Sequence, residues 1–136
     1  MLNNDYIQEE LLKLMKKAQK NNEVPISALI VSNNKIISRA YNKVESKNNF
    51  MNHAEILAIK KAMKKKHNWR LNDCILYVSL EPCSMCREII KKSRISKVIY
   101  FSKQNHYLTE KNIKTKYIKN ETISNYLKQF FKNLRK

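Results

Sequence analysis

Apolar residues return every three or four positions at Ile7, Leu11, Leu14, Met15 and Ala18, with charged and amide side chains filling the positions between. That period predicts an amphipathic helix from about Asn4 to Asn21, which Pro25 separates from the next segment. Ile26 to Val31 and Lys35 to Tyr41 are instead rich in Ile and Val and flank Asn33-Asn34, a pair that tolerates left-handed backbone, so they predict a β-hairpin. A polar stretch runs from Asn42 to Asn52. Helical spacing then resumes at Ala54, Ile56, Leu57, Ala58, Ile59, Ala62 and Met63, ending in Lys64-Lys65-Lys66, which suits the negative end of a helix dipole. Cys74 to Leu80 predicts a buried strand that Glu81-Pro82 stops, just before a helix from about Ser84 to Ser93. Another strand is expected over Lys97 to Phe101. Residues 102–116 show no clear period, whereas Ile123, Leu127, Phe130, Phe131 and Leu134 mark a last amphipathic helix.

Helix, hairpin, helix, strand, helix, strand, helix is an alternating order. It predicts a layered α/β domain with helices on both faces of one sheet. Neither a repeat nor a linker interrupts it, and 136 residues at 43% hydrophobic suffice for one core, so residues 1–136 are expected to form a single domain. No apolar run is long enough to span a bilayer, and Met1 to Asp5 lack the basic-then-apolar profile of a signal peptide; a cytoplasmic protein is expected. Three cysteines without export features argue against a disulfide framework and for metal ligation or catalysis. The formal net charge of +17 is compatible with a polyanionic partner, but equally with a general skew toward Lys, Asn and Ile in a chain that has no glycine.

The chemistry concentrates at two helix starts. His53 and Glu55 stand at one, Cys83 and Cys86 at the other. Each pair has an ordinary reading: Glu55 lies three residues after Asn52, as in a capping box, and Cys-x-x-Cys alone serves redox pairs. Together they form His-x-Glu followed by Pro-Cys-x-x-Cys, the pattern of zinc-dependent nucleobase deaminases. Cys83 and Cys86 share a face at a helix start where the dipole favours thiolate, and His53 adds a nitrogen. Three protein ligands on a tetrahedral zinc leave one position for water, which is the arrangement of a catalytic site. A structural zinc needs a fourth ligand, for which Cys74, His67 and His106 are the alternatives, none at convincing spacing. Residues two apart point to different sides of a regular helix, so His53 and Glu55 serve one site only if the helix begins there. The first-turn N–H groups, Ala54 included, are then free for a substrate.

These residues resemble a known family. His53-Ala54-Glu55-Ile56-Leu57-Ala58 and Leu76-Tyr77-Val78-Ser79-Leu80-Glu81-Pro82-Cys83-Ser84-Met85-Cys86 are similar to the bacterial tRNA adenosine deaminases of the TadA type. Val24 to Ala28 resembles that family's first strand, Tyr41-Asn42 its substrate loop, Ser93-Arg94-Ile95 the segment after the cysteine helix, and Phe130-Phe131 with Arg135 its basic C-terminal helix. The zinc motifs are shared with guanine deaminases; the C-terminal Phe-Phe is more particular to the tRNA enzymes. The resemblance implies a cytidine deaminase-like fold, a three-layer α-β-α sandwich around a central mixed sheet of about five strands, and one zinc per subunit of a homodimer. It also implies a hydrolase that converts adenosine to inosine at the wobble position of a tRNA anticodon arm. His53, Cys83 and Cys86 would be the metal ligands, Glu55 the catalytic proton carrier, and Asn42 and the Ala54 N–H contacts to the base. The chain departs from the family at Ser27, where Gly is usual, and over Ser102 to His106, where the family has an Arg-Asp and a Gly-containing loop.

Two other functions fit the same residues: a free purine deaminase of the guanine type, and a non-catalytic, zinc-stabilised RNA-binding subunit. A proton-carrying Glu55 has no purpose in the second. Lys60, Lys61, Lys64, Lys65, Lys91, Lys92, Lys128, Lys132, Arg135 and Lys136 are candidates for phosphate contact or simply solvated faces. Tyr41, Phe50, Trp69, Tyr107 and Tyr117 either stack on bases or pack at the core and rim.

Overall fold

The computed structural model describes residues 2–104 and 113–134. Helix α1 (Asn4–Lys20) starts where Asn3 caps it, its Oδ1 accepting the Asp5 N–H at 2.8 Å, and it buries Ile7, Leu11, Leu14, Met15 and Ala18, the stripe read from the sequence. The hairpin strands β1 (Ser27–Ser32) and β2 (Lys35–Tyr41) come next. Asn33 and Asn34 turn between them at φ 51° and 60°. Left-handed backbone normally falls to glycine, which this chain lacks; among the described residues four of the six with positive φ are asparagine, whose short amide bonds locally and lowers the cost.

The remaining elements are α2 (Ala54–Lys66), β3 (Cys74–Val78), α3 (Ser84–Lys92), β4 (Lys97–Tyr100), β5 (Thr115–Tyr117) and α4 (Glu121–Leu134). They build one mixed five-stranded sheet in the order β2-β1-β3-β4-β5, with β1 antiparallel to both neighbours and β3, β4 and β5 mutually parallel. The three-residue strand β5 falls at the end of the stretch that shows no period. Two of its three side chains are exposed, so it lacks the apolar alternation that marks a half-buried strand.

Successive side chains of a strand point to opposite faces, and here both faces are covered. Ala28, Ile30, Leu76, Val78, Val98 and Tyr100 pack with Ala58 and Ile59 of α2 and Ile90 of α3. Leu29, Val31, Tyr77 and Ile99 pack on the other side with Ile7, Leu11 and Met15 of α1 and Ile123 and Leu127 of α4. The result is the expected α-β-α sandwich. Ser27, where the resemblance expects Gly, is fully buried; its Oγ donates to the Leu11 carbonyl at 2.8 Å and its N–H donates to Ser79 Oγ at 3.0 Å, so the hydroxyl is satisfied inside the core. No helix among the described residues is long and apolar enough to cross a membrane.

The topology fixes where the motifs go. Strands β2 and β3 both run opposite to β1 and so run parallel to each other, with β4 parallel to β3. Helix α2 connects β2 to β3, α3 connects β3 to β4, and both lie on the same face. Each must therefore start above the carboxyl edge of the sheet, the edge where open α/β sheets bind ligands.

Replacing Asn34 by Val should destabilise the protein by about 1–2 kcal/mol, because a β-branched side chain at positive φ clashes with the backbone, while Asn34→Gly should be neutral or better. Chemical denaturation of both variants checks this; equal stabilities would contradict the left-handed turn.

Candidate active site

His53 is the N-cap of α2 and Cys83 the N-cap of α3, both with extended backbone, and neither side chain makes a capping hydrogen bond. Ser, Thr, Asp or Asn at such positions would bond the exposed N–H groups of the first turn. Here the two caps turn toward one another instead. His53 Nδ1 lies 3.8 Å from Cys83 Sγ and 3.5 Å from Cys86 Sγ, and the three donor atoms are all within 4.8 Å of each other. A tetrahedral zinc with Zn–S of about 2.3 Å and Zn–N of about 2.0–2.1 Å sets sulfur and nitrogen roughly 3.6 Å apart. The donors fit that ion in type and spacing.

Electrostatics agree with the chemistry of the donor set. Hydrogen bonds from Cys86 and then His53 push the Cys83 thiol down to about 3, while the bond to Cys83 and burial raise Cys86. The Cys83 sulfur in turn raises the His53 imidazole. Both helix N-termini point their positive ends at this thiolate.

Glu55 stands two residues after the cap, not three. The cap is His53 rather than Asn52, so the capping-box alternative does not hold. Its side chain is buried, and burial above all pushes the carboxyl up to about 7, against the opposing pull of its own backbone N–H and of His53. Glu55 shares with His53, Ala54 and Cys83 the floor of a cavity of about 270 Å³. That volume lies just under the roughly 300 Å³ where drug-sized sites begin, and it suits a single base better than a whole nucleotide. Asn42 and Val44 form one wall, with the Val44 N–H donating to Asn42 Oδ1 at 3.3 Å and the Asn42 N–H donating to the Ile26 carbonyl at 3.0 Å. The structure thus brings together all six residues singled out from the sequence: His53, Ala54, Glu55, Cys83, Cys86 and Asn42.

Of the alternative fourth ligands, neither Cys74 nor His67 joins them. Cys74 is buried where β3 opens, its thiol raised to about 11 chiefly by burial, as befits a neutral core residue. His67 caps the far end of the 13-residue helix α2, about 21 Å from His53. His106 lies outside the described residues, as do Tyr107, Arg135 and Lys136. Among the described residues the only metal-binding group is the three-donor set, and Glu55 is not part of it. Of the remaining aromatics, Tyr117 stacks on Tyr100 at 5.4 Å and half-buried Tyr41 carries Lys43 Nζ 5.0 Å from its ring centre. Phe50 and Trp69 are exposed, against the expectation of packing.

Other cavity residues carry no conspicuous signal in the sequence. Glu81 lines the cavity and accepts from buried Arg87 at 2.6 Å, while the Arg87 Nε donates to the Pro82 carbonyl at 3.1 Å, which braces the turn that delivers Cys83. Gln104 closes the opposite side through its N–H to the Glu81 carboxylate at 3.2 Å and its side-chain amide to the Glu81 carbonyl at 2.6 Å. Only the pairing of Glu81 with an arginine six residues on hints at this, and such pairs abound on surfaces.

The fold and the donor set define a zinc-binding deaminase site, and the model of the cytidine and deoxycytidylate deaminase zinc-binding region matches residues 1–102. The chain belongs to this family, whose metal is zinc. Within it, the chain is 37% identical over 144 residues to the tRNA-specific adenosine deaminase of Aquifex aeolicus, covering 96% of this chain and 95% of that one. It is 42% identical over 100 residues to the tRNA-specific adenosine deaminase of Bacillus subtilis, covering 74% of this chain but only 62% of the relative. Among solved structures it superposes with TM-score 0.77 and 26% identity, over 85% of this chain and 98% of the other, on one from studies of A-to-I editing by tRNA:A34 deaminases at the wobble position of transfer RNA. With TM-score 0.71 and 26% identity, over 99% and 96% of the chains, it also matches guanine deaminase from Bacillus subtilis.

Removing His53 or Cys86 by Ala substitution should strip the purified protein of zinc, whereas Cys74→Ala and His67→Ala should keep about one ion per chain. Elemental analysis after dialysis against a chelator reads this out; zinc lost from the Cys74 variant would restore the four-ligand structural alternative.

Proposed function

We propose that this protein is a zinc-dependent tRNA adenosine deaminase, hydrolysing the amino group of the wobble adenosine in an anticodon arm to give inosine and ammonia, and that it works as a cytoplasmic homodimer. The observation that carries the proposal is a buried carboxylate, Glu55, on the floor of a base-sized cavity beside three metal donors with no fourth among the described residues. Similarity over nearly the full length of the Aquifex tRNA-specific enzyme supports tRNA as substrate.

Zinc, when held by His53, Cys83 and Cys86, supplies a Lewis acid that lowers the pKa of water from near 16 toward about 7. The chain's own residues do the rest. Glu55 accepts the water proton and hands it to the purine ring nitrogen beside carbon 6 as the water oxygen bonds to that carbon; a second transfer through the same carboxylate carries the new hydroxyl's proton to the amino group, and the carbon–nitrogen bond breaks to release ammonia. Asn42 hydrogen-bonds the base from the cavity wall, and the first-turn N–H of Ala54 meets its reacting edge. A target in an anticodon loop is unpaired, so it leaves the stack at low cost. Lysines on α2, α3 and α4 face the phosphates of the arm, adding a salt-dependent attraction.

The resemblance to guanine deaminase favours a second reading, in which the same cavity takes a free purine. Mass spectrometry distinguishes the two: incubation with an anticodon stem-loop should yield inosine, and free guanine should be left unchanged. Glu55→Ala should retain zinc while kcat falls by about 10³-fold or more, given the usual worth of a positioned proton carrier. Substantial residual turnover would remove Glu55 from the chemistry. On the stem-loop, kcat/KM should fall at least about tenfold between 50 and 200 mM salt, and a flat response would argue for a small-molecule substrate.

A further inference from the structure

Among the described residues, the proposed chemistry leaves one buried carboxylate unused. Glu23, in the connection between α1 and β1, is 1% exposed, and its two oxygens accept successive backbone N–H groups across the cavity mouth, Glu45 at 3.0 Å and Ser46 at 2.6 Å. Its own N–H donates to the Ala18 carbonyl at 2.9 Å, just after Asn22 in left-handed backbone, which fixes the residue against the end of α1. Burial alone would raise this carboxyl. The N–H groups of Ser46 and Glu45 outweigh it and hold the group below its ordinary value, so it stays ionised. Consecutive N–H groups converging on one anion form a strong charge-assisted nest.

The segment that Glu23 grips is the one that shapes the cavity. Val24 and Ile26 line it directly after Glu23, while Asn42, Val44 and Glu45 line it from the gripped loop. Because Val44 N–H sets the Asn42 amide, the position of Asn42 depends on the path of the backbone through Glu45 and Ser46. Resting on the reading that the cavity takes a purine base, we infer that Glu23 is a positioning residue: by binding the Glu45 and Ser46 amides it holds Asn42 and Val44 where the base docks, and so sets substrate affinity. It touches neither the base nor the metal donors.

Glu23→Gln is nearly isosteric but offers one acceptor and sets its NH2 against the other N–H. In the full-length zinc-loaded protein, the amides of Glu45 and Ser46 should exchange with deuterium about tenfold faster or more, with α2 and α3 unchanged. KM for an anticodon stem-loop should rise about 10- to 100-fold, kcat should move less than about threefold, and zinc content should be unaltered. Since Glu23 acts through Asn42, E23Q should have a much smaller effect in an Asn42→Ala background. Independent, multiplying effects of the two substitutions, unchanged exchange at Glu45 and Ser46, or an effect on melting temperature alone would each overturn the inference. Glu23→Asp, which keeps both acceptors one methylene short, enters the same cycle if E23Q does not fold. A wild-type chain inactive on the stem-loop refutes the tRNA deaminase function, and the exchange measurement then decides the anchor by itself.

Discussion

The site depends on two helix beginnings held side by side. A helix start exposes N–H groups and a positive dipole end, and proteins usually answer it with a short polar cap. This chain gives both cap positions to donors for a metal, and neither cap side chain bonds a first-turn N–H group. The sulfur of Cys83 takes over that role, lying where the starts of α2 and α3 meet, with hydrogen bonds from Cys86 and His53 favouring its anion. Stabilising the anion and presenting it to a cation are then the same arrangement.

What brings the two starts together is sheet topology, to which the contacts of His53 with the two cysteines add. With β2, β3 and β4 parallel and both crossover helices on one face, α2 and α3 have to begin at one edge of the sheet. The same edge receives the start of β1, because β1 runs the other way. That reversal brings the α1–β1 connection, with Glu23, Val24 and Ile26, opposite the loop after β2 and makes the cavity a meeting of four connections.

Among the described residues, the buried charged side chains are concentrated around this edge. Glu55, Glu23 and Arg87 are each less than 10% exposed. An ionised group in a core is costly unless its partners are close and well aligned. Glu23 has its two amides, and Arg87 has Glu81 and the Pro82 carbonyl. Glu55 is the exception: its charge is not compensated to the same degree, and burial raises its carboxyl to about 7, which suits the proton transfers proposed for it.

Much of this was legible along the chain. The helical stripe of α1, the Asn-Asn hairpin, the order of elements and the motif residues His53, Glu55, Cys83 and Cys86 are local signals, set by periods of two or 3.6 and by spacings within one or two turns. Tertiary structure alone decided the rest. Strand β5 is too short and exposed to carry a period. Glu23 looks like any surface glutamate, since the amides that explain it are more than 20 residues away and no local pattern encodes a partner at that distance. The donors were written in the sequence; their convergence, and the wall that shapes the space above them, came from a sheet that carries distant connections to one edge.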